Sequence, residues 1–468
     1  MKKIIAVFLT LSLFFALCAC GAEDSEKAAE KQGNGISGKA QADGSGGQTE
    51  KDQMDGNLHL LGNPFEHGEG CYTENGFYYM TEDISKLSDG SYGAHLMYMD
   101  FATRQEIYLC SNTGCTHNSP DCPSVFRYEE FPDDKILFVY GDSLYILSKK
   151  FDMDGSMSIS ITGDGGVDMA EGSQDALYRT NLDGTGREKI YSFDGNVTLE
   201  NVILGDENGI YVVTKKMIAE KGDDGAVFNN SSERKLIFVD FKSKKEKEIC
   251  SLDFNDNISW KIIGCCGQNL VLCGDDFGRE ISNQERFDDD AYFDLYDNSN
   301  EVFATLDISN GKLTERCRIS NKEEHSALVD GSLLYLSSRS DGSIKTVDLI
   351  SGEERLLCTL EQSYLYGMIG DKLCCHTWDW TSDSAFYYVD KNTGESSRSS
   401  LVNKRTGWSL EFRAETEEEA LVIYDYEAVQ RDKDTYEISR YQYGLISKED
   451  LYAGKDAFSP IQMVEGGM

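Results

Sequence analysis

Short apolar runs, each introduced by a turn-forming pair, recur along most of the chain. They combine Tyr, Phe, Leu, Val and Ile with preceding Gly, Asp or Asn, a pattern that predicts β-strands joined by tight turns. Seven such signals are present, at residues 75–80, 141–147, 208–213, 268–272, 330–336, 370–375 and, less regularly, 419–424. The chain is therefore predicted to contain seven copies of one β unit.

A second signal follows in each of the first six units. An apolar strand ends in Asp or Asn, and a polar turn then leads into another strand. A residue of a restricted set follows ten positions later, giving the pairs Asp100 and Cys110, Asn181 and Tyr191, Asp240 and Cys250, Asp307 and Cys317, Asp348 and Cys358, and Asp390 and Ser400. The constant spacing, kept between loops of very different length, predicts equivalent positions in equivalent units.

Seven units of four strands, without helical periodicity, predict an all-β fold. We expect a seven-bladed β-propeller of four-stranded antiparallel blades over residues 57–468. The repeats resemble those of the broad WD40/TolB-like propeller superfamily, although the Gly-His and Trp-Asp signature of true WD40 repeats is absent. A two-sheet sandwich is the alternative fold, but it would not need seven equivalent units. Residues 57–61 precede blade one and are expected to complete blade seven, because residues 445–452 make a poor outer strand.

The N-terminus has the pattern of an export signal. Lys2 and Lys3 precede an apolar run at residues 4–16, which is shorter than the about 20 residues of a spanning helix. Leu17-Cys18-Ala19-Cys20 follows. This ending resembles the lipobox of bacterial lipoproteins, which implies a signal peptide over residues 1–19 and acylation of Cys20.

The whole chain resembles the propeller lipoproteins of anaerobic Gram-positive bacteria. That resemblance implies a lipid anchor in the cell membrane, with the folded domain on its extracytoplasmic face. Residues 20–56 are rich in Gly, Ser, Ala and charged residues and contain almost no large apolar side chain. Such a segment cannot bury enough apolar surface to offset its ordering entropy, so we predict a lipidated, disordered linker.

The charge of the chain restricts its partners. It carries 82 acidic and 45 basic residues, a net charge of −37, and loss of Lys2 and Lys3 would bring it to −39. Such a surface repels nucleic acid and anionic lipid headgroups, so neither is an expected partner. Attachment to the membrane should then depend on the acyl chains. We expect a monomer.

Fourteen cysteines in an exported chain favour disulfides. The register argues against most of them, because the four cysteines at the ten-residue position fall in different blades. Equivalent positions of different blades are farther apart than the Cα separation of about 7 Å that a disulfide bridges. We predict that these cysteines are small packing residues, and that Cys250, Cys317 and Cys358 are unpaired and buried.

A separate cluster has the spacing Cys-x4-Cys-x-His-x4-Cys and consists of Cys110, Cys115, His117 and Cys122. Three Cys and one His are the ligand set of a structural zinc site, which makes zinc the candidate cofactor. The alternative is a Cys115–Cys122 disulfide with a solvated His117, and Cys110 more than about 8 Å from His117, too far for shared ligation. A catalytic or haem-binding role is a third interpretation.

Other motifs carry less chemistry. Residues 152–155 and 164–166 partly match calcium loops, but they lack the third acidic residue and the closing Glu, so we predict turns. The acidic residues between 288 and 297 predict a solvated loop, with a calcium site as the alternative. Trp378 and Trp380 flank Asp379, and either pack in the core or stack on sugar rings. The chain has no nucleophile elbow, zinc-protease helix, P-loop or dinucleotide fingerprint, so we predict no catalytic residues.

In antiparallel blades, the second-to-third strand loops and the connections between blades share one face, here called the loop face. Three long insertions of the first kind (149–175, 217–233 and 274–300) and one of the second kind (111–134) all belong to it. Binding function concentrates on such loops. We therefore expect a cell-surface module that binds a ligand or another protein, with a glycan, a peptide or an envelope protein as its partner. The alternative is a propeller lyase or hydrolase of glycans, with an Asp/Glu/His set at the central channel.

Overall fold

The computed structural model describes residues 57–464, except for short gaps. The gaps are residues 64–69, 82–83, 129–134, 150–158, 162–166, 170–174, 195–196, 222–226, 255–256, 282–284, 286–288, 361–362, 378–385, 406, 408 and 431–435. Seven antiparallel sheets of four principal strands follow one another along the described chain. The predicted all-β seven-bladed propeller is confirmed. None of the helices in this part of the chain is long and apolar enough to cross a membrane.

The first strand, β1 (His59–Leu61), precedes the blades. Blade one contains β2 (Gly70–Thr73), β3 (Gly76–Met80), β5 (Tyr92–Asp100) and β6 (Gln105–Tyr108), with short β4 (Ser85–Lys86) and β7 (Val125–Arg127) beside β5. Blade two contains β8 (Lys135–Tyr140), β9 (Ser143–Ser148), β12 (Ala176–Asn181) and β13 (Glu188–Ser192). A hairpin of β10 (Ile159–Ile161) and β11 (Val167–Met169) lies in its insertion. Blade three contains β14 (Thr198–Asp206), β15 (Gly209–Lys221), β16 (Val227–Asp240) and β17 (Lys245–Ser251).

The remaining four blades keep the same order. Blade four contains β18 (Lys261–Cys266), β19 (Asn269–Asp276), β20 (Asn300–Asp307) and β21 (Lys312–Ser320), with helix α1 (Asp289–Asp297) in its insertion. A 3-10 turn (Asn321–Glu323) leads to blade five, which contains β22 (His325–Asp330), β23 (Leu333–Ser338), β24 (Ser343–Asp348) and β25 (Glu354–Thr359). Blade six contains β26 (Ser363–Ile369), β27 (Lys372–Thr377), β28 (Phe386–Asp390) and β29 (Ser396–Ser399). Blade seven contains β30 (Glu411–Glu415), β31 (Glu419–Gln430), β32 (Tyr436–Ser447) and β33 (Ser459–Pro460), with α2 (Lys448–Tyr452) before the last strand.

The recurrent aspartate closes the turn between the third and fourth strands. Oδ1 of Asp348 accepts hydrogen bonds from the backbone N–H groups of Ile350 and Ser351, at 3.0 and 2.6 Å. A carboxylate that accepts from the backbone two and three residues ahead stabilises a tight turn, which explains why Asp recurs there. Turns of this type, together with the first-to-second strand turns, form the face opposite the loop face, here called the turn face.

A β-bulge explains the ten-residue spacing. In blade four, Asp307 pairs with Lys312, but Phe303 pairs with Cys317, so the fourth strand contains one residue more than the third between these pairs. Corresponding register shifts occur in blades three and five. The extra residue bends the outer strand at the same point in each of these three blades.

The hydrophobic core consists of apolar layers between neighbouring blades. The layer between blades seven and one closes the ring, where Phe77 and Met99 pack with Leu421 and Leu445. The C-terminal segment adds to this closure, since β33 pairs with β32 and Gln462 forms a parallel bridge with Gln105 of blade one. All four strands of blade seven therefore come from the C-terminal part of the chain.

The prediction that residues 57–61 complete blade seven is wrong. β1 pairs with β14 of blade three, where Leu61 lies opposite Ile203. The physical reason is burial: Leu58 joins the apolar layer between blades three and four, and Leu61 joins the layer between blades two and three. Blade seven obtains its outer strand from β33 instead.

Besides the β10–β11 hairpin of blade two and β7 in the segment 111–134, the insertions of blades three and four also contain regular structure. In blade three the insertion extends β15 and β16 into a long antiparallel ribbon. In blade four, residues 289–297 form α1, so the expected acidic loop is wrong for this stretch. The helix places Tyr292 and Tyr296 one turn apart, with ring centroids 6.4 Å apart, and Phe277 packs 6.0 Å from Tyr292. These aromatic contacts favour the helical conformation. The sequence prediction had considered only the acidic residues of this stretch.

Candidate metal centre and the loop face

The four residues of the Cys/His cluster converge on one point. One ligand atom each of Cys110, Cys115, His117 and Cys122 lies within 4.8 Å of all the others. Sγ of Cys122 is 3.5 Å from Nδ1 of His117. In a tetrahedral zinc site with Zn–S bonds of about 2.3 Å, neighbouring ligand atoms are about 3.8 Å apart. The donor set and its spacing therefore fit a tetrahedral metal ion with only small adjustments.

The structure bears on two of the alternative interpretations of this cluster. Cys115 and Cys122 are both free thiols in the structure, which thus does not contain the alternative disulfide. The expected separation of Cys110 from His117 by more than 8 Å is wrong, because their ligand atoms lie within 4.8 Å. Cys110 lies two residues after the end of β6 and is only half-buried, at the point where the insert begins.

Two turns bring the donors together. In the first, the N–H of Cys115 donates to the carbonyl of Asn112 at 3.2 Å, and Gly114 has a φ of +73°. In the second, the N–H of Cys122 donates to the carbonyl of Ser119 at 2.9 Å. His117 lies between the turns with a φ of +56°, a left-handed conformation that is uncommon for a non-glycine residue. Such strain at a ligand position is typical of a functional constraint.

Neighbouring groups hold the imidazole in place. The rings of Tyr108 and His117 stack with centroids 4.3 Å apart, and Nε2 of His95 lies 2.7 Å from the carbonyl oxygen of His117. The backbone N–H of His117 donates to Sγ of Cys115 at 3.4 Å, and this hydrogen bond lowers the pKa of that thiol. Burial raises the pKa of Cys110 to about 12. Burial, together with the nearby His95, lowers the pKa of His117.

The insert also connects blades one and two. After Cys122 the chain returns to blade one as β7, which pairs with β5. Arg187 of blade two donates from Nη1 to the carbonyl of Val125 at 2.9 Å, and its guanidinium lies 3.5 Å from the ring centroid of Phe126. Four protein ligands leave no open coordination position, which is typical of a structural rather than a catalytic metal.

The central channel contains the N-terminal end of the described chain. The first strands of several neighbouring blades contact one another, which places these strands around the channel. β1 pairs with the inner edge of β14, so it lies inside this ring. Leu58 donates its N–H to the carbonyl of Gly267 at 3.0 Å. Asn63, at the other end, donates from Nδ2 to the carbonyl of Arg413 in blade seven at 2.8 Å.

The direction of this segment follows from its two ends. Gly267 belongs to the first-to-second strand turn of blade four, which lies on the turn face. From there β1 runs antiparallel to β14, toward the loop face. Gly62 has a φ of +97°, which lets the chain leave β1 and cross toward blade seven. The segment therefore enters the propeller from the turn face.

Several predicted positions lie outside the described residues. They are Cys20, the partial calcium loops at 152–155 and 164–166, and Trp378, Asp379 and Trp380. Of the register cysteines, Cys250, Cys317 and Cys358 are all unpaired, as predicted. Only Cys317 is fully buried, and the other two are half-buried.

Sequence analysis missed a buried acid–histidine pair between blades four and five. Nε2 of His325 lies 2.5 Å from Oε2 of Glu301, and the exposed fractions of the two side chains are 3% and 9%. The residues are 24 positions apart and lie in different blades, so no local spacing in the sequence indicates the pair. The contact depends on the packing of one blade against the next.

No family model and no curated protein matches the chain. Among solved structures, it is similar to a puromycin-hydrolysing peptidase of Mycobacterium tuberculosis, with 9% identity, a TM-score of 0.44, and coverage of 87% of this chain and 57% of that one. It is also similar to an oligogalacturonate lyase in complex with manganese (13%, TM-score 0.38, coverage 75% and 81%). A third is TolB from Acinetobacter baumannii (12%, TM-score 0.30, coverage 80% and 78%). The chain thus spans little more than half the length of the peptidase, and these likenesses are ones of propeller fold alone.

Proposed function

We propose that the protein is a lipid-anchored, extracytoplasmic propeller that binds a glycan, a peptide or an envelope protein through its loop face. The observation that carries this proposal is the position of residues 57–63, which occupy the central channel. A channel enzyme would need an open site there. The insertions of blades one to four instead enlarge the loop face, where a rigid scaffold presents binding loops.

The path of the N-terminal segment also indicates the face at which the linker would join the propeller. Residues 57–58 lie at the turn face, next to Gly267. A lipid on Cys20, joined through the linker 21–56, would then tether the propeller from its turn face. The loop face would then lie opposite the attachment point and stay accessible to whatever the protein meets outside the cell.

We further propose that the Cys/His cluster holds one zinc ion as a structural metal. The ion would replace weak thiol contacts with four strong bonds and would fix the insert against blades one and two. Its function would be to keep one part of the loop face rigid, which lowers the ordering cost of binding.

Photo-crosslinking in living cells tests the proposed binding face. A photoreactive phenylalanine analogue would replace Phe293, which is 52% exposed on α1 at the loop face. The matched control is Ile350, which is 70% exposed in a third-to-fourth strand turn at the turn face. We expect discrete adducts from position 293 and none of the same size from position 350. Equal adducts from both positions, or adducts from position 350 alone, would contradict the proposal.

Membrane release tests the anchor separately. Cys20→Ser should move the protein from the membrane fraction to the soluble fraction, because no other part of this acidic chain is expected to bind lipid. Cys18→Ser, two residues earlier in the signal, is the matched control and should leave the protein with the membranes. A Cys20→Ser protein that sediments with membranes after a high-salt wash would overturn the anchor.

A further inference from the structure

The sulfurs of the Cys/His cluster differ in how firmly the fold holds them. Cys110 lies two residues after β6 and is half-buried. Cys122 is 4% exposed and packs against Val125 of β7. Cys115 contacts the same apolar group, but it lies in a turn and both of its neighbours in the chain are exposed. It is therefore the sulfur that a small reagent in solution meets first.

The three sulfurs are close enough to react with one another. Together with a nitrogen of His117, their Sγ atoms all lie within 4.8 Å of one another. A disulfide brings two sulfurs to about 2 Å, so the movement required is less than about 3 Å. Cys115 has room for this movement, because a single backbone hydrogen bond to Asn112 closes its turn and residues 111–114 are exposed. The same four residues therefore fit either a metal ion or a disulfide.

Cys122 is the second sulfur of the pair. Its Sγ lies 3.1 Å from the hydroxyl oxygen of Ser124, which is fully buried. A hydroxyl that donates to a thiolate stabilises the nucleophilic form of the sulfur. Cys122 also stays in place when the exposed turn moves, because β7 follows it and pairs with β5. The oxidant would thus react with Cys115, and Cys122 would close the disulfide.

We propose that the cluster is a redox-sensitive switch, in which a hydroperoxide converts the metal centre into a Cys115–Cys122 disulfide. The thiolate of Cys115 attacks one peroxide oxygen, the O–O bond breaks, and Cys115 becomes a sulfenic acid as hydroxide or alkoxide leaves. The thiolate of Cys122 then attacks the sulfur of Cys115, the S–S bond forms, and hydroxide leaves. Two thiolates are oxidised, one peroxide is reduced, and a zinc ion left with two protein ligands is released.

The switch would change what holds the insert. With zinc bound, four bonds tie Cys110, at the edge of blade one, to both turns of the insert. In the oxidised form the disulfide joins the two turns to each other and leaves Cys110 and His117 unlinked. The switch rests on the proposed zinc centre and adds its regulation by oxidation. Because the insert belongs to the loop face, oxidation would loosen one sector of the proposed binding surface.

Oxidation of the purified, zinc-loaded protein by a slight molar excess of hydrogen peroxide tests the switch. Elemental analysis after gel filtration should show the loss of close to one zinc ion per chain, and peptide mapping without reductant should show the Cys115–Cys122 disulfide. Dithiothreitol followed by zinc should restore the metal content. Cys250→Ser, which removes a half-buried thiol outside the cluster, is the matched control and should lose its zinc like the wild type.

A second variant separates oxidation of Cys115 from other damage. Cys115→Asp offers a carboxylate, which also binds zinc but cannot form a disulfide, so this variant should keep its zinc through the same treatment. Loss of zinc from Cys115→Asp at the wild-type rate would contradict the role of Cys115.

The outcomes distinguish the switch from the zinc centre on which it rests. A protein that holds no zinc before oxidation would overturn the zinc centre and the switch together. A protein that binds zinc and keeps it in peroxide would overturn the switch alone. The same holds for a disulfide that contains Cys110, for Cys115 recovered as a sulfonic acid, and for zinc loss that accompanies unfolding in the circular dichroism spectrum.

Discussion

Cys110 in blade one and Cys317 in blade four stand at the same position of the repeat, ten residues after an aspartate, yet their surroundings differ. Cys317 is buried in the apolar layer between blades four and five. Cys110 lies where the outer strand ends and the insert begins, within 4.8 Å of two more sulfurs and an imidazole. The repeat thus decides where a cysteine stands in its blade. The connection that follows decides whether it meets other ligands.

The largest expected effect concerns metal content. Protein purified under reducing conditions without chelator should carry close to one zinc per chain, and Cys122→Ala should carry none, because three ligands bind far more weakly than four. Cys317→Ala, which also removes a buried thiol, should keep the metal. Elemental analysis measures both. A metal-free wild type whose mass is two hydrogens below the reduced value would instead indicate the Cys115–Cys122 disulfide.

Removal of the metal should loosen blade one and leave blade four unchanged. A ligand at 100 times its dissociation constant stabilises the folded form by about 2.7 kcal/mol, so a zinc chelator should raise the open population of the insert about 100-fold. Chymotrypsin, which needs no metal for activity, should then cut next to Phe126, while Phe303 in the blade-four core stays protected. Peptide mapping over time gives the two rates. Equal acceleration at both sites would mean that the metal stabilises the whole propeller.

Alkylation should distinguish the register cysteines from one another. Burial raises the pKa of Cys317 to about 12 and also raises the pKa values of the half-buried Cys250 and Cys358. With iodoacetamide at neutral pH, we expect Cys250 and Cys358 to react slowly in the folded protein and Cys317 only after unfolding, a difference of about tenfold or more. Mass spectrometry of the labelled peptides checks this order. Faster labelling of Cys317 would contradict its place in the core.

The smallest expected effect is on how the stability of the fold depends on pH at Asp307, the aspartate ten residues before Cys317. Hydrogen bonds from the side chain and backbone of Ser309 lower the pKa of Asp307 in the folded state. The stabilisation is therefore fully present above the unfolded pKa of about 3.9 and disappears as the pH falls through the lower folded value. Asp307→Asn should be slightly less stable than the wild type at pH 6, and the difference should shrink toward pH 3. Urea midpoints at each pH measure it, and a difference independent of pH would assign the effect to lost geometry rather than charge.

Much of the fold could be predicted from local sequence. Turn pairs such as Asn208-Gly209 and the aspartate at 348 act within a few residues, so they identify strands, turns and the number of blades without knowledge of the rest of the chain. The face on which each insertion lies follows from strand order alone. The candidate metal ligands could also be selected, because all four fall within thirteen residues.

Contacts between distant parts of the chain decided the remainder. Residues 57–63 lie beside blade three and reach Arg413, which is 350 positions from Asn63, and no local pattern reports such a pairing. The His325–Glu301 pair and the cavity beside it exist only because two blades pack face to face. Sequence by itself determined the repeat, its register and the candidate ligands of the Cys/His cluster, since these depend on neighbours along the chain. Tertiary structure alone decided the position of residues 57–63 in the channel, the outer strand of blade seven and the cavity between blades four and five. These features depend on which apolar surfaces pack together when the ring closes.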